Sequence, residues 1–258
     1  DLYKKDQFNE QDFLDIQLDD QAVFLSRWQQ FMLKLVGKYG NESLVEVKTQ
    51  LEKWQGRASK TSVGYLLVKR FRERVVDQTI GQIYRHLEKN NNQFWPSSID
   101  NFVEYPVWQL INEQPSQHVP NGFKDWPEFL TAMVQQTVAK ISQNGEPLDT
   151  QTWGKANTLD INHPLSKAVP MLGWLLDMKA VPMDGDTYMP RVQDPDTGAS
   201  QRFAVSPGHE DQGYFHMATG QSGHPLSPFY RAGHKDWVEG NASPYLPGKE
   251  KWRLMLQP

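Results

Sequence analysis

Cysteine is absent from the 258 residues of this chain. That excludes disulfides, thiolate metal sites and a cysteine nucleophile. Apolar runs are short, and none approaches the ~18 consecutive residues of a membrane-spanning helix. Basic charge is scarce as well: 27 lysines and arginines against 31 acids leave a formal net charge of -4. The densest cationic stretch, Lys69-Arg70 with Arg72 and Arg74, reads as the wet face of a helix. Electrostatic binding to nucleic acid needs a basic patch that displaces counterions, and this sequence does not encode one. Internal repeats and low-complexity tracts are also missing. What remains, 38% hydrophobic and 12% aromatic residues at a mean hydropathy of -0.67, suits a polar globular protein with a sizeable core.

The two halves of the chain differ in texture. Residues 1 to about 145 read as helical. Asn9 is placed to cap a helix with Asp12 three positions on. Phe13, Ile16, Val23, Phe24, Trp28, Phe31 and Leu35 then recur near a 3.6-residue period until Gly37 and Gly40. A second helix is predicted through Leu44, Val47, Leu51 and Trp54, stopping at Gly56. A third begins between Ser59 and Ser62 and keeps Leu67, Phe71, Val75 and Ile83 on one face as far as Leu87. Asp125 followed by Pro127 is a strong helix start, with Phe129, Val134, Val138 and Ile141 behind it. Lys89 to Gln93 reads as a polar loop. From about 146 onward lie twelve of the 17 prolines and eleven of the 18 glycines, which disfavours long helices. Strands are predicted at Leu159–Ile161, Thr187–Gln193, Gln201–Ser206, Tyr214–Ala218 and Trp252–Leu256. Asp194-Pro195-Asp196-Thr197-Gly198 has the residues of a hairpin turn between the second and third of these. Helices first and strands afterwards make the fold class α+β.

Several residues invite a chemical reading. Ser222 lies between glycines, but Gly220-Gln221-Ser222-Gly223 lacks the G-x-S-x-G spacing of a nucleophile elbow, and Pro225 and Pro228 bar the helix that should follow. It reads as a turn residue instead. His209, His216, His224 and His234 are spaced too widely for a compact zinc site. Asn162-His163-Pro164 fixes an extended turn in which His163 is structural. Asp184, Asp186, Asp194 and Asp196 lack the order and terminal glutamate of a calcium loop and read as turn formers, with Arg202 expected to pair with one of them. Of the nine tryptophans, Trp28 and Trp54 fall on apolar helix stripes. Trp95, Trp108, Trp126 and Trp237 adjoin loops, where they serve either a pocket or the core. An aromatic-lined surface of a non-catalytic ligand-binding module is therefore one reading of this chain.

A second reading comes from motifs in order. Phe13 to Asp19 carries an apolar segment and then Gln17-x-Asp19, ahead of a long helical stretch. Leu51-Glu52-Lys53-Trp54-Gln55-Gly56, Trp153-Gly154, Asn162-His163-Pro164-Leu165, Asp184-Gly185-Asp186-Thr187 and Ser200-Gln201-Arg202-Phe203 follow. Gln221-Ser222-Gly223-His224-Pro225-Leu226-Ser227-Pro228-Phe229-Tyr230 with Trp237 completes the series. This succession resembles the penicillin amidase (penicillin acylase) family of N-terminal-nucleophile hydrolases, specifically the C-terminal part of the large subunit. Residues 88 to 145 match least. Gln55 replaces the family's usual aspartate, and Arg231-Ala232-Gly233-His234 stands where the family commonly has an acidic residue soon after the tyrosine.

The resemblance implies a four-layer αββα hydrolase, made as one precursor and cut into small and large subunits. In that family an N-terminal serine attacks an acyl-amide while its own α-amine, with a pKa near 8, serves as general base. By family order the serine, the oxyanion asparagine, a supporting arginine and the calcium ligands all precede the Gln17-x-Asp19 helix, and Asp1 cannot act as that nucleophile. The resemblance thus assigns no catalytic, cofactor-binding or metal-binding residue to positions 1–258. The expected partners are the upstream remainder of the large subunit, the small subunit and a small acyl-amide substrate. The expected location is the bacterial periplasm or exterior.

Overall fold

A computed structural model describes residues 5–90, 102–142 and 145–256. The fold is α+β with a helical first half, and the chain divides into two compact units, one formed by Gln21–Ala156 and the other by Asp1–Asp20 with Asn157–Pro258.

The first helix, α1 (Glu10–Gln17), opens with a complete capping box, in which Asn9 accepts from the Asp12 amide and Asp12 from the Asn9 amide. Here the expected long helix is interrupted. The Asp19 carbonyl accepts from Arg191 N at 3.0 Å and the Ala22 amide donates to Gly56 O at 2.7 Å. Backbone groups spent on tertiary bonds cannot also propagate a helix. The period-3.6 stripe fails at the same place, because Val23 is 74% exposed.

In the unit Gln21–Ala156, α2 (Ser26–Tyr39), α3 (Val45–Lys53), α4 (Val63–Val76), α5 (Gln82–Asn90), α6 (Glu104–Glu113), α7 (Trp126–Ile141) and α8 (Trp153–Ala156) follow one another. Ser62 caps α4 and Asp125 caps α7, with Pro127 in its first turn, as the sequence predicts. A π-helical turn at Asp77–Gly81 joins α4 to α5 and brings Ile83 and Leu87 out to solvent, off the buried Leu67-Phe71-Val75 stripe. Lys89 and Asn90 belong to α5, while the remainder of the expected polar loop lies outside the described residues. The α6 helix, which carries Pro106 in its first turn, was not expected. Its Glu104 accepts from Trp28 Nε1 at 2.7 Å, from Arg72 Nε at 2.8 Å and from Arg27. Trp108, one turn on, packs edge-to-face on Trp28, with the Arg27 guanidinium over its ring.

The other unit is strand-poor. After α1 come β1 (Thr158–Leu159), α9 (Pro164–Ala168), α10 (Gly173–Leu176), β2 (Val181–Pro182), β3 (Gln201–Ala204), β4 (Tyr214–Met217) and α11 (His234–Glu239). β1 pairs with β2, and β3 with β4, both antiparallel, as two separate two-stranded sheets. The expected strand at Thr187–Gln193 is instead a loop that closes on itself through Asp186 N to Arg191 O, starting from Gly185 at φ +96°. The Asp194 turn closes only a minimal hairpin, a single antiparallel bridge between Gln193 and Gly198 with Asp194 N donating to Thr197 O at 2.9 Å, and β3 finds its partner across residues 205–213. Trp252–Leu256 forms no strand, and its apolar side chains stand in solvent.

Two glycines make opposite stability predictions. A Cβ on Gly64 would lie 2.5 Å from Trp54 Cβ and 2.6 Å from Gln50 O, whereas one on Gly37 in α2 meets nothing within 4 Å. Urea unfolding should show Gly64→Ala losing about 1–3 kcal/mol through overpacking and Gly37→Ala gaining about 0.5–1 kcal/mol from helix propensity. Equal effects of the two substitutions would contradict this packing.

Candidate functional site

The Gln-Ser-Gly loop begins as a backbone constraint. Gly220 N donates to Tyr230 O at 3.1 Å, and a Cβ on Gly220 would fall 1.9 Å from Phe229 O. Only glycine lets the two ends of the loop approach so closely. Inside it each polar side chain serves the backbone. Ser222 Oγ accepts from His224 N at 3.2 Å, His224 Nδ1 from Leu226 N at 3.2 Å, and Ser227 Oγ from Phe229 N at 3.2 Å. The Ser222 hydroxyl therefore meets the amide of His224 and not its ring, which is turn chemistry and not a nucleophile–base pair.

The end of this loop is bound to residues 175–177, more than 50 positions earlier. Tyr230 OH donates to Leu176 O at 2.6 Å, and Arg231 Nη2 donates to Leu175 O at 2.9 Å and Asp177 O at 3.0 Å. An acid at position 231 could not donate to these carbonyls, so the cation has a structural use here. Asp177 in turn accepts from Ser166 Oγ at 2.5 Å and from His163 N at 2.8 Å. The Ser166 hydroxyl foremost, then the His163 amide, hold the Asp177 carboxyl below its ordinary range. His163 caps α9 by accepting from Leu165 N with Nδ1. Two of the sequence motifs thus meet through Asp177, a residue that neither contains and that no spacing signalled.

Behind the loop, Trp237 is fully buried with Leu159 and Met183. Its Nε1 donates to Ala199 O at 2.7 Å, and its carbonyl accepts from Arg202 Nη1 at 2.9 Å. The Arg202 guanidinium lies 5.2 Å over the indole. Arg202 is only 3% exposed, and burial foremost, then the charge of Arg191, pulls its pKa down to about 10. The expected pairing with an acid of the 184–196 loop is not found. Asp184 pairs with Arg191 at 3.6 Å, the Asp186 carboxylate accepts from Thr187 N, and Asp194 accepts from the amides of Asp196 and Thr197. A π-face and a carbonyl hold Arg202 instead. Opposite it in the β3–β4 register sits His216, whose Nε2 donates to Asn241 O, and beside them the buried Tyr214 hydroxyl has its pKa raised to about 12, chiefly by burial.

The other candidates scatter. His209 and His224 are exposed, and His234 donates from Nδ1 to Ala218 O. Among the described residues no three His, Asp or Glu side chains are disposed to share an ion. Trp126 is buried with its Nε1 on Pro115 O, Trp108 packs in the Glu104 cluster, and Trp95 lies outside the described residues. Beside Arg202 opens a cleft of about 560 Å³ that also takes in Gln17, Pro190, Val192 and Phe203. Gln17, the first member of the Gln-x-Asp motif, donates to Phe203 O at 3.2 Å at its edge.

The chain belongs to the penicillin amidase family, whose model matches residues 1–252. Among characterised proteins it is similar to the penicillin acylase 2 proenzyme of Pseudomonas sp. (strain SE83), with 27% identity over 129 residues. That match covers 47% of this chain and 16% of the relative, so the chain corresponds to a minor share of that protein's length.

The buried histidine gives a pH prediction. Burial lowers the His216 pKa, so at mildly acid pH the unfolded chain binds a proton that the folded chain refuses. Its contribution is intact above the unfolded histidine pKa of about 6.5 and is lost as pH falls below it. Urea titrations between pH 7.5 and 5 should show His216→Gln with a shallower acid loss than the parent. Parallel profiles would contradict the assignment.

Proposed function

We propose that this chain is a scaffold-bearing C-terminal part of the large subunit of a penicillin-acylase-type amide hydrolase, with the chemistry carried by other segments. In this reading a serine at the head of the large subunit attacks the acyl carbon and its α-amine relays the proton to the leaving amine. Oxyanion donors and any calcium site lie with that serine. The present segment orders the loops and closing elements around them, and the whole enzyme works in the periplasm or outside the cell.

One observation carries the reading. Within the unit that holds most of the motifs, large apolar side chains stand in solvent: Trp174 at 81%, Trp252 at 76% and Leu226 at 75% exposure, with Leu165 and Met171 beside Trp174 in the α9–α10 segment. The bonds of Tyr230 and Arg231 tie that segment to the Gln-Ser-Gly loop, and Phe229 touches Trp252 at 6.3 Å between ring centroids. Apolar exposure on this scale marks a surface that another polypeptide covers. The β1–β2 and β3–β4 pairs, each two strands wide, suit the same role, since isolated two-stranded sheets are marginal in water. His163, Ser222, His224 and Ser227 in the motifs meanwhile accept from backbone amides, as scaffold residues do.

Residues 1–258 expressed alone should release no chromophore from acyl-amide substrates above background. The same chain produced with the remainder of the precursor should turn them over. Robust hydrolysis by the isolated chain, or serine-directed labelling at Ser222, would overturn the proposal.

A further inference from the structure

In the helical unit α4, α7 and residues 151–156, the segment that carries the Trp153-Gly154 motif, enclose a cleft of about 600 Å³. Its apolar lining comes from Leu66, Ile141 and Ala156, and cations from Arg70, Arg74, Lys140 and Lys155 stand around it. The two acids at the cleft, Glu73 and Asp77, are already engaged, Glu73 by Arg70 at 2.7 Å and Asp77 by Arg85. Lys155 is engaged by Glu146 at 2.9 Å. Arg74 and Lys140 are different. Among the described residues, Arg74 has only a 3.4 Å contact with Gln136 Oε1, and its buried Nε has no acceptor. Lys140, one helical turn beyond Gln136 on α7, makes no hydrogen bond or ion pair with any described residue.

We infer that this cleft binds a small organic carboxylate with an apolar tail. A guanidinium with unused hydrogen-bonding capacity and an ammonium lining the same cleft supply a charge-assisted seat for a carboxylate. The apolar lining accepts a hydrocarbon chain, which an inorganic anion lacks. The cleft volume falls within the range of small-ligand sites. Binding of this kind does not depend on the acylase reading, because its test measures binding and not turnover.

Octanoate is the probe. Calorimetric titration of the intact protein should give saturable one-to-one binding with a Kd on the order of 1 mM or tighter. Octanol and octylammonium should bind at least tenfold more weakly. Arg74→Gln and Lys140→Gln should each weaken octanoate by roughly fivefold or more, with thermal unfolding unchanged, while Lys48→Gln, a surface pair remote in sequence, should have no effect. The Ile141 methyl resonance should shift on titration. Should Arg74→Gln fail to fold, the ranking of octanoate over octanol and octylammonium in the parent protein still decides the matter. Absence of octanoate binding, equal binding of the three probes, or displacement of octanoate by an equal concentration of inorganic phosphate would overturn the inference.

Discussion

The indole of Trp237 is the contact on which the unit of Asp1–Asp20 and Asn157–Pro258 depends. Three features of the sequence are set by it. Gly198 must lack a side chain, because a Cβ there would lie 2.8 Å from the Trp237 ring. Arg202 enters the interior only because the ring face and the Trp237 carbonyl receive it. His234 stacks on the same ring, its planes inclined by 19°, while donating to Ala218. Truncating a buried tryptophan costs on the order of 3–5 kcal/mol, a large part of the stability of any small domain. In a unit whose sheets are two strands wide, one aromatic side chain that organises a glycine, a cation and a histidine accounts for much of the order.

This arrangement shows what many residues with reactive side chains do here. Ser222, His163, His224 and Asp194 each satisfy backbone amides in turns that contain proline or glycine. Loops with little regular structure leave backbone groups without ladder partners, and short polar side chains fill the deficit. A family pattern composed of such residues records the shape of a scaffold. It does not by itself mark a catalytic centre, and the active chemistry of an acylase is then free to reside in other segments.

Much of this was legible in the residues. The α+β class, the Asn9 and Asp125 caps, the helix starting after Ser62, the turn roles of Ser222 and of the Asp194 segment, and the family itself all followed from local patterns. The failures share one physical cause. The break after α1 arises from tertiary backbone bonds to Arg191 and Gly56, and the loss of the expected strand at 187–193 from closure of a loop onto Arg191. Arg202 looked like an ion-pair partner because acids lie nearby in sequence, yet its partner is an aromatic ring 35 positions away. Asp177 and Glu104 gather donors from distant segments, and neither sits in a pattern with a period or a motif. Local rules cannot report contacts whose partners are chosen by the fold.

The central claim is that the exposed apolar surface around α9 and α10 is a face covered by the rest of a larger enzyme. Hydroxyl-radical footprinting of Met171 and Trp174 tests it most directly, with the isolated chain compared against the same chain in the assembled protein. The account predicts fast oxidation of both side chains in isolation and strong protection on assembly. Equal oxidation rates in the two states would contradict it.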